Sequence, residues 1–261
     1  MLLYHKEKLA DGTESGRRVG SRLGRTLKKV TRPVKYGDMV RGRLQRRLNR
    51  FIAEVVVDGV VERVHVKNTG RLKELLLPDT EVLLEVSDRP ERKTKYSLIA
   101  AAHDGGWVNV DSQAPNPVAF EALKAGRIAE IGPVTRVKRE VTFGDSRFDL
   151  YYEQGEQRGF LEVKGVTLQQ EGIAMFPDAP TTRGTKHVRE LVKAVQEGYA
   201  GAVLFVVQMK GCHGFTPYRD MDPDFADVLE EAYRQGVRIL AYEAIVTEQE
   251  IVLGGSLPVR L

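Results

Sequence analysis

Short runs with β-type patterning, separated by turns, dominate the chain between Met39 and Asp104. Asp58-Gly59 is typical of a tight hairpin turn between two of these runs. Five or so strands with one short helix between the third and fourth are typical of a small oligonucleotide-binding-type β-barrel, although an SH3-like or irregular barrel has a similar pattern. The predicted elements are strands at 41–59 (a long, bent stretch), 60–66, 80–88 and 95–104 and a short helix at 68–78.

Helical and strand patterns alternate in the second half of the chain, after a linker that ends at Asn116 and Pro117. The stretch 187–199 carries apolar residues at the i, i+3, i+4, i+7 spacing of an amphipathic helix. The continuous apolar run 200–208 is expected of a central strand that is covered on both faces. Together the elements predict a mixed sheet with flanking helices. They are helices at 117–128, 187–199 and 222–236 and strands at 134–143, 147–153, 158–166, 200–208, 237–246 and 249–254.

The beginning of the chain differs from the rest in both patterning and charge. Residues 1–38 are poor in apolar residues and show no stable period, which predicts a flexible basic arm before a barrel domain at 39–112 and a second domain at 113–261. Residues 1–50 contain 15 Lys and Arg against 4 Asp and Glu, whereas the remainder contains 25 against 32. This asymmetry favours a polyanion-binding element; a cationic tail without a specific partner is the alternative.

Composition predicts a cytoplasmic protein. The single cysteine, Cys212, excludes an intramolecular disulfide and suits a reducing compartment. No apolar run approaches the roughly 20 residues of a membrane helix, and the first residues lack the apolar core of a signal peptide. We therefore expect no membrane partner, and the sequence leaves the oligomeric state open.

Two acids and a lysine in neighbouring predicted strands are the strongest candidates for chemistry. Glu162 and Lys164 point the same way, about 7 Å apart along one strand, and Asp149 lies in the strand before it. The residues around Glu162 are apolar on both faces, so its strand is predicted to be buried on both sides. Two carboxylates and a lysine suit Mg²⁺ or Mn²⁺ and an activated water, as in phosphodiester hydrolysis. The alternative is a solvated strand face with a weak ion pair. Glu140 is a further candidate metal ligand or a member of a solvated ladder.

Two other groups of residues are candidates for binding nucleic acid. Arg183, Lys186 and His187 fall at a predicted helix start, where free N–H groups and the helix dipole attract phosphate; a loop held by an Asp178–Arg183 pair is the alternative. Phe51 is expected in the barrel core rather than stacked on a base. On the barrel, the predicted phosphate contacts are Arg41, Arg43, Arg46 and Arg47. Asn68 and Arg71 lie in a turn, where they either contact phosphate as well or simply cap the turn.

The order of elements, with an acid on one strand and Glu-x-Lys on the next, resembles the core of PD-(D/E)xK nucleases. The whole region from about residue 40 to 261 more closely resembles the sugar fermentation stimulation protein family, SfsA. The arm before residue 39 is longer than in that family, Asp111-Ser112 replaces Asn-Thr, and Pro180 replaces a valine. The matching strings are VRGRL (40–44), NTGR (68–71), QAPN (113–116), SRFDL (146–150), LEVKGVTL (161–168), FPDA (176–179), RGTKH (183–187) and the final SLPVRL.

The resemblance implies an oligonucleotide-binding-type domain followed by a nuclease-like domain, DNA binding, and a link to the regulation of sugar metabolism. We therefore expect a largely sequence-nonspecific DNA-binding protein with a divalent-metal nuclease site at Asp149, Glu162 and Lys164, and with no small-molecule cofactor. A DNA-binding regulator with a catalytically silent nuclease fold is the main alternative, and an RNA-binding protein is the weaker one, since this barrel type does not itself discriminate RNA from DNA.

Overall fold

The computed structural model describes residues 31–68 and 70–261, so most of the predicted arm lies outside the described residues. The end of that arm is not free. Strand β1 (Val34–Lys35) pairs antiparallel with the strand Glu250–Leu257 near the C-terminus. Tyr36 extends this contact by donating its backbone N–H to the carbonyl of Gln249 at 2.9 Å. Residues 34–36 are therefore part of the second domain's sheet, in contrast to the predicted arm.

A small barrel forms the first domain. Within the described residues the sheet order is β4-β3-β2-β5-β6-β7, and a further parallel pairing of β4 with β6 closes a barrel of five strands. Alternating valines and leucines on these strands fill its interior, including Leu44, Val55, Val64 and Leu84. This confirms the predicted oligonucleotide-binding-type fold. The strands are β2 (Met39–Arg47), β3 (Ile52–Val57), β4 (Val60–Val66), β5 (Glu81–Val86), β6 (Tyr96–His103) and β7 (Gly106–Asn109).

The short helix predicted at 68–78 is wrong. The segment between β4 and β5 is a series of turns, in which the carbonyl of Leu72 accepts from the N–H groups of Leu75 and Leu76. Leu72 and Leu75 are buried in the barrel core. Their helix-like spacing reflects one turn that inserts leucines into the barrel rather than a continuing helix.

A mixed sheet forms the second domain, as predicted. In the described part of the chain its order is β1-β16-β15-β13-β10-β9-β8, with β10, β13 and β15 parallel in the centre. A smaller sheet, β11-β12-β14, lies beside it. The strands are β8 (Arg136–Phe143), β9 (Ser146–Gln154), β10 (Gln157–Val166), β11 (Leu168–Gln170), β12 (Ile173–Phe176), β13 (Ala200–Val207), β14 (Gly214–Pro217), β15 (Arg238–Val246) and β16 (Glu250–Leu257).

Helices cover both faces of the large sheet. Helix α1 (Pro115–Lys124) packs with the apolar residues of one face, while α2 (Thr182–Gln196) and α3 (Pro223–Arg234) pack with those of the other. Asp222 caps α3, since its side chain accepts from the N–H of Phe225. β13 is buried on both faces, which explains its continuous apolar run. Among the described helices, none has both the length and the apolar character needed to cross a membrane.

A buried polar network joins the two domains. Asn109, at the end of β7, donates to the hydroxyl of Tyr36 at 2.8 Å and accepts from Nε2 of Gln208 at 2.9 Å. Gln208, directly after β13, also donates to the carbonyls of Asn109 and Asp111. Because Asn109 and Gln208 are buried and paired with each other, and Asn109 also with the partly buried Tyr36, they fix the barrel against the central strands of the sheet.

Candidate metal and phosphate site

Asp149 lies at an irregularity in β9. Its neighbours Phe148 and Leu150 would share one face of a regular strand, yet they belong to the apolar cores on opposite sides of the sheet. On the paired strand β8, Glu140 lies between the pairs Arg139–Leu150 and Val141–Phe148 and has a φ of +53°. The carboxylate of Asp149 is thus directed past the last β9–β10 pair, where its Oδ2 accepts from the N–H of Val163 at 2.8 Å.

Asn116 fixes the other oxygen of Asp149. Its side-chain amide, on the first turn of α1, donates to Oδ1 at 2.7 Å. Burial raises the pKa of Asp149, and the neighbouring negative charge of Glu162 raises it further, against the lowering effect of these two hydrogen bonds and of Lys164. A group with this balance holds a proton more readily than an exposed aspartate does.

Glu162 is almost completely buried on β10, with an exposed fraction of 2%. Its Oε1 accepts from Nζ of Lys164 at 2.6 Å and lies 2.5 Å from Nδ1 of His187. Its Oε2 is buried and has no hydrogen-bond partner within the described residues. Burial acts to raise the pKa of Glu162, but the hydrogen bond to His187 and the charge of Lys164 outweigh it, so the pKa is lowered.

Helix α2 brings His187 to this acid. The hydroxyl of Thr181 caps the helix by accepting from the N–H of Gly184. The apolar stripe of Val188, Leu191 and Ala194 then sets the rotation of the helix against the sheet. His187, next to this stripe, is consequently buried against Glu162 rather than exposed to bind phosphate directly.

The carboxylates fit a hard divalent cation through oxygen. No group of three or more His, Cys, Asp or Glu side chains comes together as a metal cage within residues 31–68 and 70–261. Asp149 and the unpartnered Oε2 of Glu162 nevertheless form a two-acid set, and Mg²⁺ needs only one or two carboxylates because it keeps several waters. Glu140 does not join them: its side chain is 65% exposed and pairs with Arg147 at 3.6 Å. Glu140 is therefore exposed to solvent, as in the alternative interpretation of this residue.

Several of the predicted phosphate-binding arginines have partners on the barrel or, for Arg41, also on the second domain. Arg41 pairs with Glu81 at 2.8 Å and with Glu248, and Arg46 pairs with Glu54 at 2.8 Å. Arg43 donates to the carbonyl of Asp79 at 3.1 Å. The charges of Arg41 and Arg46 are therefore neutralised by acids, and the guanidinium of Arg43 is partly occupied by a carbonyl.

Arg47 organises a loop rather than presenting a free charge. Its guanidinium donates to five backbone carbonyls, those of Asn49, Arg50, Asn68, Gly70 and Arg71. Asn68 supports the same loop, since Nδ2 donates to the carbonyl of Val110 and Oδ1 accepts from the N–H of Gly70. We call residues 68 and 70–73 the loop after β4.

Arg71 links that loop to the second domain. Its N–H donates to Oδ2 of Asp178 at 3.2 Å, while its side chain is exposed. In the described residues Asp178 makes no pair with Arg183, which the alternative interpretation of this loop required. Arg183 is exposed on the first turn of α2, and Lys186, also exposed, donates to the carbonyl of Asp145 at 3.4 Å.

Two positions differ from what the sequence patterns favoured. Asn116 holds Asp149 although it lies 33 residues earlier; the string QAPN marks it only through the family resemblance. Phe51, expected in the barrel core, is 52% exposed at the turn between β2 and β3. No local pattern distinguishes a Phe at the start of a strand from one inside it.

Two family models match the chain in tandem. The SfsA N-terminal OB domain matches residues 46–110, and the sugar fermentation stimulation protein RE domain matches residues 113–250. The chain belongs to the sugar fermentation stimulation protein family. This confirms the resemblance inferred from the strings above.

Family relatives match most of the chain and nearly the whole of their own length. The sugar fermentation stimulation protein homolog of Alkaliphilus oremlandii is 55% identical over 226 residues, 85% of this chain and 96% of that protein. The homolog of Desulfitobacterium hafniense is 48% identical over 228 residues, 87% of this chain and 99% of that protein. The structure of Pyrococcus furiosus SfsA in complex with Ca²⁺ superposes with a TM-score of 0.79 at 28% identity, covering 87% of this chain and 98% of that one.

Proposed function

We propose that this protein binds DNA largely without regard to sequence, and that Asp149, Glu162 and Lys164 form a divalent-metal-dependent phosphodiesterase site. The observation that carries the proposal is the buried carboxylate of Glu162. One of its oxygens is held by Lys164 and His187, and the other has no partner among the described residues. A buried carboxylate oxygen without a partner is costly, and a cation would satisfy it.

Five side chains would divide the chemistry among them. Asp149 and Glu162 would hold Mg²⁺ or Mn²⁺, which supplies a water of lowered pKa and neutralises phosphate charge. Asn116 and the N–H of Val163 keep Asp149 in one orientation, and His187 does the same for Glu162. The ammonium group of Lys164 is 2.6 Å from Glu162 and would stabilise the charge that develops on the attacked phosphate or orient the attacking water. The Ca²⁺ in the Pyrococcus furiosus relative supports an oxygen-ligated cation in this fold.

Charge distribution supports the DNA-binding part. The basic first 50 residues precede an acidic remainder, and exposed cations lie on both domains near the start of α2. Such binding depends on phosphate neutralisation, so affinity should fall steeply with salt for every sequence alike. A single sequence that stays bound at high salt while others dissociate would contradict it.

One observation favours a second candidate, a DNA-binding regulator with a silent site. Lys164 and His187 already place donors on Glu162, so the acid is partly compensated without any metal. In that case the nuclease-like fold would serve as a binding surface, and the family name would describe its regulatory effect.

Metal-dependent stability and cleavage separate the two candidates. Wild-type protein is incubated with labelled single- and double-stranded DNA and RNA in Mg²⁺, Mn²⁺ or EDTA, and its melting is followed with and without metal. We expect metal to stabilise the wild type, by about 2.7 kcal/mol when its free concentration is 100 times Kd. Asp149→Ala should abolish both the stabilisation and cleavage, whereas Lys164→Ala should abolish cleavage and keep most of the stabilisation.

Glu140→Ala is the matched control, because it removes an exposed acid from the neighbouring strand. If it behaved like Asp149→Ala, the metal would be bound elsewhere. DNA binding without metal stabilisation or cleavage in the wild type would establish the regulator instead, and preferred binding of RNA would contradict the choice of DNA.

A further inference from the structure

A basic cleft lies between the barrel and the second domain. Its volume is about 680 Å³, and its walls are the turn between β2 and β3, the loop after β4, and the segment 176–181 that precedes α2. The domains touch at its floor, where Asp178 accepts from the N–H of Arg71. A methyl group on Gly70 would come 2.5 Å from Oδ2 of Asp178, so the Asp178 side chain would have to shift to admit a larger residue there. Gly70 and Asp178 thus bring the two walls of the cleft into close contact.

Three cations in this cleft differ from the paired arginines of the barrel wall. Arg50, Arg71 and Lys73 are exposed, and none has an acidic partner within the described residues. The five hydrogen bonds of Arg47 to the backbone beside them hold these residues in place. Because their positions are fixed by the backbone and not by ion pairs, their charges stay available for an anionic partner.

Exposed apolar side chains adjoin these charges at the turn between β2 and β3. Phe51 follows Arg50 directly and is 52% exposed, and Leu48 is 39% exposed. Oδ1 of Asn49 accepts from the N–H groups of Phe51 and Ile52, at 2.8 and 3.0 Å, which makes the turn rigid. The turn thus presents an aromatic ring to solvent at little entropic cost.

We propose that this cleft binds single-stranded nucleic acid, with Arg50, Arg71 and Lys73 on the phosphates and Phe51 stacked on a base. The inference rests on the proposed function and names its substrate class: DNA with an unpaired segment. An aromatic ring beside a cationic groove matches an unpaired strand, whose base faces are available, and not an intact duplex, whose bases are stacked on one another.

The cleft leads towards the buried acids. Thr181 lies in its wall and caps α2, and the exposed Arg183 and Lys186 follow on the first turns of that helix. His187, six residues beyond the cap, contacts Glu162. Six residues of helix span about 9 Å. A strand held in the cleft would therefore run along basic residues to the site where a phosphate is attacked.

Fluorescence anisotropy in EDTA tests the inference without requiring cleavage. The probes are labelled oligo(dT), oligo(U) and a DNA hairpin duplex of equal phosphate number. We expect wild type to bind oligo(dT) more tightly than the duplex. Phe51→Ala should weaken oligo(dT) binding about 5- to 100-fold, the range found for losing one stacked base, and change duplex binding little. Phe51→Trp should restore it.

Matched controls come from exposed residues elsewhere in the chain. Tyr233→Ala removes an exposed aromatic from α3, and Arg158→Ala removes an exposed arginine from the start of β10; both should leave oligo(dT) binding unchanged, whereas Arg50→Ala should weaken it. Melting of each variant checks its folding.

Equal binding of oligo(dT) and duplex, or unchanged oligo(dT) binding by a folded Phe51→Ala, would overturn the inference and leave nonspecific DNA binding intact. Tighter binding of oligo(U) than of oligo(dT) would contradict DNA as the ligand while supporting the assignment of the cleft to single strands. A wild type that binds none of the probes would overturn both this inference and the proposed DNA binding.

Discussion

Glu162 combines a negative charge with almost complete burial, which disfavours that charge. It is desolvated, it lies near a second acid, and its lowered pKa depends on the two groups that donate to one of its oxygens. The same contacts satisfy Lys164 and His187, which are themselves nearly buried. Removing the carboxylate of Glu162 would therefore also leave Lys164 and His187 without this hydrogen-bond partner.

Glu162→Ala should destabilise the metal-free protein by about 3–5 kcal/mol, the usual cost of leaving buried charged partners unpaired. The sequence alone favours the opposite result, because it indicates two repelling acids but not the contact of His187 with Glu162. Urea unfolding in EDTA measures the change. Glu140→Ala, which removes an exposed ion pair, should cost no more than about 1 kcal/mol. Equal effects of the two substitutions would contradict the described contacts.

The two acids should contribute to pH-dependent stability with opposite signs. The pKa of Glu162 is lowered from 4.5, so its stabilisation is present above that value and is lost as the pH falls through the lower folded-state pKa. The pKa of Asp149 is raised from 3.8, so its contribution is present below that value and is lost as the pH rises through the higher folded-state pKa. Wild type should therefore gain stability over Glu162→Gln, and lose it relative to Asp149→Asn, as the pH rises from 3 to 7. Urea titrations in EDTA across that range measure both differences, and slopes of the same sign would contradict the assignment.

The sequence predicts which acids share the site but not what holds them. Strand alternation is sufficient to place Glu162 and Lys164 on one buried face. The contacts of Asn116 with Asp149 and of His187 with Glu162 join residues 33 and 25 positions apart, and they arise from helix packing that no local period encodes. In a regular strand, Glu140 would be a candidate metal ligand. Its positive φ, however, breaks the strand geometry on which the alternation of side chains depends.

Among the elements, the loops differ most from their predicted form. The predicted strands and helices of the large sheet agree with the apolar periods, because those periods reflect its two buried faces; the short strands β11, β12 and β14 beside it were not predicted. The segment after β4 has helix-like leucine spacing, but its backbone is held by Arg47 from a different strand. An arginine that caps carbonyls has the same sequence signature as one that binds phosphate.

Arg47→Lys should destabilise the barrel by about 1–3 kcal/mol, since an ammonium group has three donors in place of five and lacks the planar fork. Unfolding by urea measures the loss, and amide hydrogen exchange at Gly70 and Arg71 should rise. The matched control is Arg46→Lys on the same strand, whose exposed pair with Glu54 should contribute less than about 1 kcal/mol. If both lysine variants were equally stable, Arg47 would be a surface charge and not the support of the loop.

At the scale of the whole molecule, the two domains and the end of the arm form a continuous structure. The network of Tyr36, Asn109 and Gln208 joins β1, the barrel and the central sheet. Charge and apolar content predict an arm that extends to residue 38. They do not reveal β1, because a two-residue edge strand is too short to show a period. Only its pairing with β16 reveals that the arm ends earlier.

Two truncations separate the basic segment from this edge strand. A variant that starts at residue 31 should unfold with the same free energy as the full chain, within about 0.5 kcal/mol, because residues 1–30 offer almost no periodic apolar face. A variant that starts at residue 39 also loses Val34 and Tyr36, which pack on the sheet. It should stay folded but be about 2–4 kcal/mol less stable, the cost of exposing two partly buried side chains.

DNA affinity should follow a different order from stability in these variants. The first truncation removes 8 Lys and Arg against 3 Asp and Glu, whereas the further step to residue 39 removes 2 against 1. Since affinity depends on phosphate neutralisation, most of its loss should come with residues 1–30, and most of the stability loss with residues 31–38. Urea unfolding and anisotropy on the same preparations measure stability and affinity. Tyr36→Phe is the control: it removes only the acceptor for Asn109, so it should lower stability without changing affinity. Parallel losses of stability and affinity across the two truncations would mean that the basic segment and the edge strand act as one unit.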